Sequence, residues 1–410
     1  MSTLQSTKKK PKKAPPKNKP KTKKSTASPK ASSAFSFTII HQESHTQART
    51  GIITTPHGII NTPAFIPVAT QATVKALTPQ QLNEINFDAI LCNTYHLYLR
   101  PDPDTVNNLG KLQKFMAWHK PVFTDSGGFQ VFSLNNGLCQ IDNDGVTFTS
   151  HIDQSKHRFT PEISMQIQQK LGADLIFAFD QCLDIKADYT TTKLSLERTH
   201  AWAQRSVSAF NKLNKDKSQA LYGIVQGGRF KDLREESAKF IASLPFQAIG
   251  IGSIFGDPKE ESRQLVAHAM QFLPQEKTKH LLGIGAVEDL FTYVELGLDT
   301  FDCVLPTRLA RVGYIFIRPE SGGNINNKYR YRITNEKFKQ DPTPLDKYCT
   351  CYVCKNFTKA YIRHLYKADE LLFYTLTTYH NLAFYQRLMQ EIRQSIENDD
   401  FLKLKKKWVK

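Results

Sequence analysis

Eight short apolar runs punctuate the chain between residues 64 and 304. Each is followed by a polar or glycine-rich turn and then by helix-like sequence. The runs are AFIPVA (64–69), AILCN (89–93), PVFTD (121–125), LIFAFD (175–180), LYGIVQ (221–226), AIGIG (248–252), HLLGIG (280–285) and TFDCV (300–304). Strands alternating with helices imply a parallel sheet, and eight is the number that closes a (β/α)8 TIM barrel. The expected fold is therefore an α/β barrel. An open doubly wound sheet is the alternative, disfavoured because no GxGxxG fingerprint follows the first run. The 410 residues are compatible with a single barrel, a fold that often exceeds ordinary domain length.

Helices are expected at TPQQLNEI (78–85), TPEISMQIQQKLG (160–172) and DLREESAKFIASL (232–244), where apolar residues recur every three or four positions. Thr78-Pro79 and Thr160-Pro161 read as an N-cap followed by proline at the first helical position. Gly172 and Gly297 read as helix stops.

Functional side chains of a barrel gather at the C-terminal ends of its strands. Asn93, Asp125, Asp180, Gln226, Gly252 and Asp302 each lie at or near the end of a run. One acid in such a place is an ordinary cap, but six polar or glycine endings facing one mouth imply a site, since isolated carboxylates there are costly to desolvate. Carboxylates so grouped suit glycosidic chemistry: one attacks an anomeric carbon while another handles protons at the leaving group. Asp125 lies in FTDSGGFQ, whose glycines permit a sharp turn and close approach of a flat ligand; the competing reading is a tight turn with Asp as cap. FDQC (179–182), VQGG (225–228) and IGIGS (249–253) supply a carboxylate, a Gln and backbone N–H groups, a set that matches the edge of guanine. A polynucleotide would have to present that base flipped from its stack. In TFDCVLPTR, Asp302 adjoins Cys303. Neighbouring side chains of a strand face opposite ways, so an inward Asp302 leaves Cys303 to pack, and no His lies close in sequence to activate a thiol.

Charge and cysteines are unevenly placed. Of the net charge of +17, 11 units are lysines within residues 1–34, which contain no acid and few large apolar residues. That segment cannot bury enough surface to fold alone. It reads as a disordered solvated arm, as an arm that gathers phosphates, or as an imitation of a nuclear localisation signal, and the residues leave these open. Three of the seven cysteines, Cys349, Cys351 and Cys354, fall within CTCYVC, which in a long chain with no export signal reads as metal ligands. No apolar run is long enough to span a membrane, and a cytoplasmic location is expected.

From Phe35 to about residue 395 the chain resembles the queuine tRNA-ribosyltransferases, also called tRNA-guanine transglycosylases. The likeness rests on FTDSGGFQVFSL, FAFDQC, YGIVQGG, FDCVLPTR, CTCYVC and YHNLAFYQRLM, in family order. It implies a TIM barrel with a zinc-binding insertion: a tail (1–34), a catalytic barrel (35–310), a zinc-binding subdomain (311–382), and a closing helix with a basic tail (383–410). It implies Asp302 as the nucleophile that displaces the wobble guanine of a GUN-anticodon tRNA, and Asp125 as general acid/base that also contacts the base. Asp180, Gln226 and backbone N–H groups near Gly252 would bind that base, Phe129 would stack on it, and Leu282 would flank it where the family usually has Met. Asn93 would position the ribose and the nucleophile. Arg308 and Arg311 would meet the tRNA, with added phosphate contacts from basic residues at 328–332 and 403–410. One structural zinc per subunit would be held by Cys349, Cys351, Cys354 and His380; His364 is the other histidine nearby, outside the family's motif. Family members are homodimers acting on tRNA and a free deazaguanine base.

The chain departs from the family pattern at Ile251-Gly252-Ser253 and Gly256-Asp257, next to the substituent of the incoming base. Cys182 matches the bacterial form. A changed preference between 7-aminomethyl-7-deazaguanine and queuine, towards queuine, is the expectation. A catalytically inactive tRNA-binding partner subunit is the alternative function, but such a subunit should have lost Asp125 or Asp302. An archaeal-type enzyme would carry a long extra RNA-binding region, and a nucleosidase would have no use for the zinc insertion.

Overall fold

Eight parallel strands close into a barrel in the computed structural model, which describes residues 35–134, 139–252 and 259–409. They are β1 (Ala64–Ala69), β2 (Ile90–Cys92), β3 (Val122–Thr124), β4 (Leu175–Phe177), β5 (Ala220–Val225), β6 (Ala248–Ile251), β7 (Lys279–Leu281) and β8 (Thr300–Cys303). They follow one another around the barrel in chain order, and β8 pairs back onto β1. Each overlaps an expected run, with β5 and β7 starting one residue earlier. β2, β3, β5 and β6 stop one residue short of the polar or glycine ending, because Asn93, Asp125, Gln226 and Gly252 have already left the ladder for the loops.

The expected helices form with the expected caps. Thr78 and Gln81 make a reciprocal capping box before Pro79–Glu84. Thr160 accepts from Ile163 N ahead of Pro161–Leu171, and Gly172 ends that helix in the left-handed conformation. Lys231–Ser243 forms without a side-chain cap.

Two three-stranded antiparallel sheets, besides the hairpin described below, carry no counterpart among the expected strands. One joins Ser36–Gln42, Arg49–Thr55 and Gly58–Thr62 ahead of β1. Its Ile53 and Ile60 are fully buried and share a cluster with Ala64, Leu175, Ala220 and Ala248. Those four residues begin their strands, so the sheet plugs the end of the barrel away from the strand C-termini. The other, Gln140–Ile141, Val146–Thr149 and Lys156–Phe159, lies between β3 and β4.

Beyond β8 a short helix, Leu305–Arg311, leads to the hairpin Tyr314–Phe316 and Arg330–Arg332, then to the cysteine segment. A 27-residue helix, Leu371–Glu397, runs unbroken through residue 382, the expected division between subdomain and closing helix. Its Asn381 donates to Pro306 O (3.1 Å) and Tyr314 O (3.0 Å) and accepts from Phe316 N (3.0 Å), while Tyr385 donates to Gly285 O (2.5 Å). One helix thus fixes the loops after both β7 and β8. The segment expected as a basic tail is a further helix, Phe401–Trp408, with Phe401 and Trp408 buried. Lys405 pairs with Glu295 and Lys407 with Glu320, so these two lysines are engaged on the fold rather than free for phosphate.

Candidate active site and metal centre

The strand C-termini surround a pocket of about 480 Å³. Asn93, Asp125, Phe129, Asp180, Gln226, Gly252, Leu282, Asp302 and Arg308 all line it. Of the residues expected at the nucleotide site, only Arg311 is not in the lining.

Asp302 sits near the end of β8, and His280 on β7 lies across from Thr300 in register. Alternation along β8 puts Thr300 and Asp302 on the same face. Asp302 Oδ1 accepts from Gly283 N (2.9 Å) and faces His280 Nε2 at 3.0 Å. His280, wholly buried, was not among the expected site residues. Only the strand pairing reveals it, since it precedes Asp302 by 22 positions.

Asp125 accepts from Thr94 N (2.8 Å) and Asn93 Nδ2 (2.5 Å). Asn93 therefore orients the acid/base candidate. Its own oxygen caps the helix Thr94–Leu99 by accepting from His96 N. Asp125 is half-buried at the pocket floor, where the protein excludes most solvent. Loss of solvation, with the charges of Asp302 and Asp180 adding to it, pushes its carboxyl up to about 7 from an ordinary 3.8. Asp180 is pushed up to about 6 by burial, against the pull of its donors. Those donors are Gln226 Nε2 (2.7 Å) and Ser126 Oγ (2.9 Å).

Gln226 is 4% exposed, and its Oε1 has no hydrogen-bond partner among the described residues. A buried acceptor left unpaired is costly, so a donor from a bound ligand suits this position. Gly252 leaves room for that amide: a Cβ there would lie 2.7 Å from Gln226 Nε2. The N–H of Gly252 itself already donates to Val225 O (3.0 Å), so a base edge reaches it only as a shared partner. Arg234, buried and also absent from the sequence expectations, donates to Gly228 O and Gly252 O, both at 2.8 Å, and holds the β5 and β6 loops in fixed relation. Of the departure from the family pattern, Ile251 ends β6 and Gly252 follows it, while Ser253, Gly256 and Asp257 lie outside the described residues.

Phe129 stands at the rim, 48% exposed, on the helix Gly128–Leu134. Leu282 is part of the wall. Cys303 packs against the core beside Gly285, its sulfur accepts from Leu305 N (3.4 Å), and burial pushes its thiol up to about 12. It stays protonated near neutral pH and is a poor nucleophile. Arg308 and Arg311 ride on the helix after β8. Burial first, then the charge of Arg308, pulls the Arg311 guanidinium down, and an anion placed between them would relieve that strain.

Away from the pocket, the ligand atoms of Cys349, Cys351, Cys354 and His380 lie within 4.8 Å of one another. His380 Nδ1 is 3.6 Å from Cys351 Sγ and 3.3 Å from Cys354 Sγ. Zinc bonds of about 2.0–2.3 Å require tetrahedron edges of roughly 3.5–3.8 Å, so the donor set fits that ion. His380 Nε2 lies 2.8 Å from Phe316 O, which fixes the tautomer that leaves Nδ1 free to bind. His364 is not part of the cluster.

The family model described as "Queuine tRNA-ribosyltransferase" matches residues 44–410. A protein named queuine tRNA-ribosyltransferase from Herpetosiphon aurantiacus is 48% identical over 376 residues, covering 92% of each chain. Another, from Caldanaerobacter subterraneus subsp. tengcongensis, is 46% identical over 379 residues, 92% of this chain and 98% of its own. A putative queuine tRNA-ribosyltransferase from Archaeoglobus fulgidus is 42% identical over 392 residues, 88% of this chain and 96% of its own. With the barrel and the four-ligand cluster in place, these matches mean that the chain belongs to the queuine tRNA-ribosyltransferase family.

Proposed function

We propose that this protein is a tRNA-guanine transglycosylase, a pentosyltransferase of queuosine modification, which exchanges the wobble guanine of GUN-anticodon tRNAs for a free 7-substituted 7-deazaguanine. The observation that carries the reading is the convergence of Asp125, Asp180 and Asp302 on one pocket with the unpaired Gln226 acceptor. Asp302 attacks ribose C1′ and the bond to guanine breaks. Asp125, protonated at its raised pKa, gives its proton to the departing base. The ribose is then held as an Asp302 ester. Asp125, now a carboxylate, takes the proton from the incoming base, whose nitrogen attacks C1′ and restores Asp302. Asp180 and Gln226 read the base edge, Phe129 and Leu282 cover its faces, and Arg308 and Arg311 hold the RNA backbone.

Cys349, Cys351, Cys354 and His380 would hold one zinc per subunit; four protein ligands would leave no open position, so the ion would stabilise the fold rather than take part in the reaction. The protein acts in the cytoplasm as a homodimer. In this reading residues 35–310 carry the chemistry and 311–382 the zinc site, with the helix Leu371–Glu397 running from that region into the closing segment 383–410. The altered 251–257 sequence shifts base preference towards queuine.

Labelled-guanine exchange into a GUN-anticodon tRNA tests this, with Asp302→Asn as control and both deazaguanines as competitors. Wild-type exchange that vanishes in Asp302→Asn is the expected result, with queuine the stronger competitor. A folded, zinc-loaded wild type that binds tRNA but exchanges nothing would instead mark a non-catalytic partner subunit.

A further inference from the structure

We propose that His280 is a positioning residue for the nucleophile, and that it selects which Asp302 oxygen attacks. The inference rests on the transglycosylase reading and adds to it a residue and an atom.

An ionised carboxylate only accepts hydrogen bonds. His280 Nε2, 3.0 Å from Asp302 Oδ1, must therefore carry the proton. In the neutral tautomer that carries its proton on Nε2, Nδ1, 2.9 Å from Thr300 Oγ1, accepts from the Thr300 hydroxyl. The chain Thr300 O–H to Nδ1, then Nε2–H to Oδ1, has only one direction. Gly283 N donates to the same oxygen at 2.9 Å. Oδ1 is thereby committed twice, and Oδ2 is the oxygen left to face the ribose. The ring cannot drift: His280 is 0% exposed, with its centroid 5.6 Å from Phe123 and 5.3 Å from Phe177. Thr300 lies opposite it in register. Without this hold the carboxylate can rotate and spend time with neither oxygen aimed, a displacement of the kind that costs on the order of 10²-fold in rate.

The test uses the full-length zinc-loaded enzyme. His280→Phe keeps the ring volume and removes the donor, His280→Gln returns an amide donor near the Nε2 position, and Thr300→Val removes the hydroxyl that holds Nδ1. The readouts are kcat and KM for tRNA in guanine exchange, and the single-turnover rate of a denaturation-resistant RNA–protein adduct. His280→Phe is expected to lower kcat and the adduct rate by about 10- to 100-fold, with KM within about twofold. His280→Gln should recover most of that loss, and Thr300→Val should lose about three- to tenfold, one hydrogen bond's worth. Wild-type kcat in a folded His280→Phe, a loss that falls in KM alone, or a Gln variant as slow as Phe would each overturn the proposal. If His280→Phe does not fold, unchanged kcat in Thr300→Val overturns it. Absence of any adduct from wild type would count against the transglycosylase reading, which Asp302→Asn tests separately.

Discussion

At the scale of single residues, the proposed site brings together three carboxylates in different surroundings. Asp302 is steered by donors on one oxygen. Asp125 and Asp180 sit where desolvation raises them to about 7 and about 6. Both folded-state values lie above the ordinary 3.8, so the folded protein binds the extra protons more tightly than the unfolded chain. The stability this gives is full below about pH 4 and is lost as pH rises through 6 to 7. Asp125→Asn removes the penalty. It should melt close to wild type at pH 5 and about 2–5 °C higher at pH 8, while exchange falls by about 10²- to 10⁴-fold. Thermal melts at the two pH values, beside the exchange assay, check both halves; a variant destabilised at pH 8 would refute the assignment. These carboxylates were readable from sequence because each lies at or near the end of an apolar run. His280 and Arg234 were not, because their partners are brought to them by strand pairing and loop packing rather than by spacing along the chain.

At the scale of elements, the end of the barrel away from the pocket is tied by a buried ion pair between the first sheet and the residue that precedes β8. Arg49 grips Asp299 through Nε (2.9 Å) and Nη2 (2.7 Å), and Asp299 Oδ2 also accepts from Lys279 N (2.7 Å) at the start of β7. Arg49 and Asp299 are at most 1% exposed. Removing one partner strands a buried charge, so Arg49→Ala should cost about 3–5 kcal/mol, while Arg49→Met with Asp299→Leu should recover only part of it, because Lys279 N loses its acceptor. Chemical denaturation of the three proteins settles this. Guanine exchange well below the melting point should be unchanged, since the pair lies at the opposite end from Asp302. The barrel strands and capped helices were visible in sequence because their periodicity and caps are local. The two antiparallel sheets were missed. Most of their residues are at least partly exposed, and what makes them strands is the surface each one packs on.

At the scale of the whole molecule, the long helix Leu371–Glu397 joins the metal cluster to the catalytic loops. His380 is in the cluster, its neighbour Asn381 holds Pro306 O just after β8, and Tyr385 holds Gly285 O after β7. Losing the ion should therefore weaken both fold and catalysis. Purified protein is expected to carry one zinc per chain, and prolonged chelation or Cys351→Ser should lower the melting temperature by about 10 °C or more and reduce exchange. Metal analysis with melting curves checks this; a zinc-free protein of unchanged stability would remove the structural role. No described helix is long and apolar enough to cross a membrane. By itself the sequence determined the number and order of the barrel strands, the helix caps, the acids at one mouth and the cysteine trio, because each is a pattern of neighbouring residues set by local geometry and hydrophobic period. Only the tertiary structure decided which oxygen of Asp302 is held, that Asn93 bonds to Asp125, that Gln226 keeps an unpaired acceptor among the described residues, and that Lys405 and Lys407 are tied down. Those depend on distances between residues far apart in the chain, which exist only once the barrel has closed.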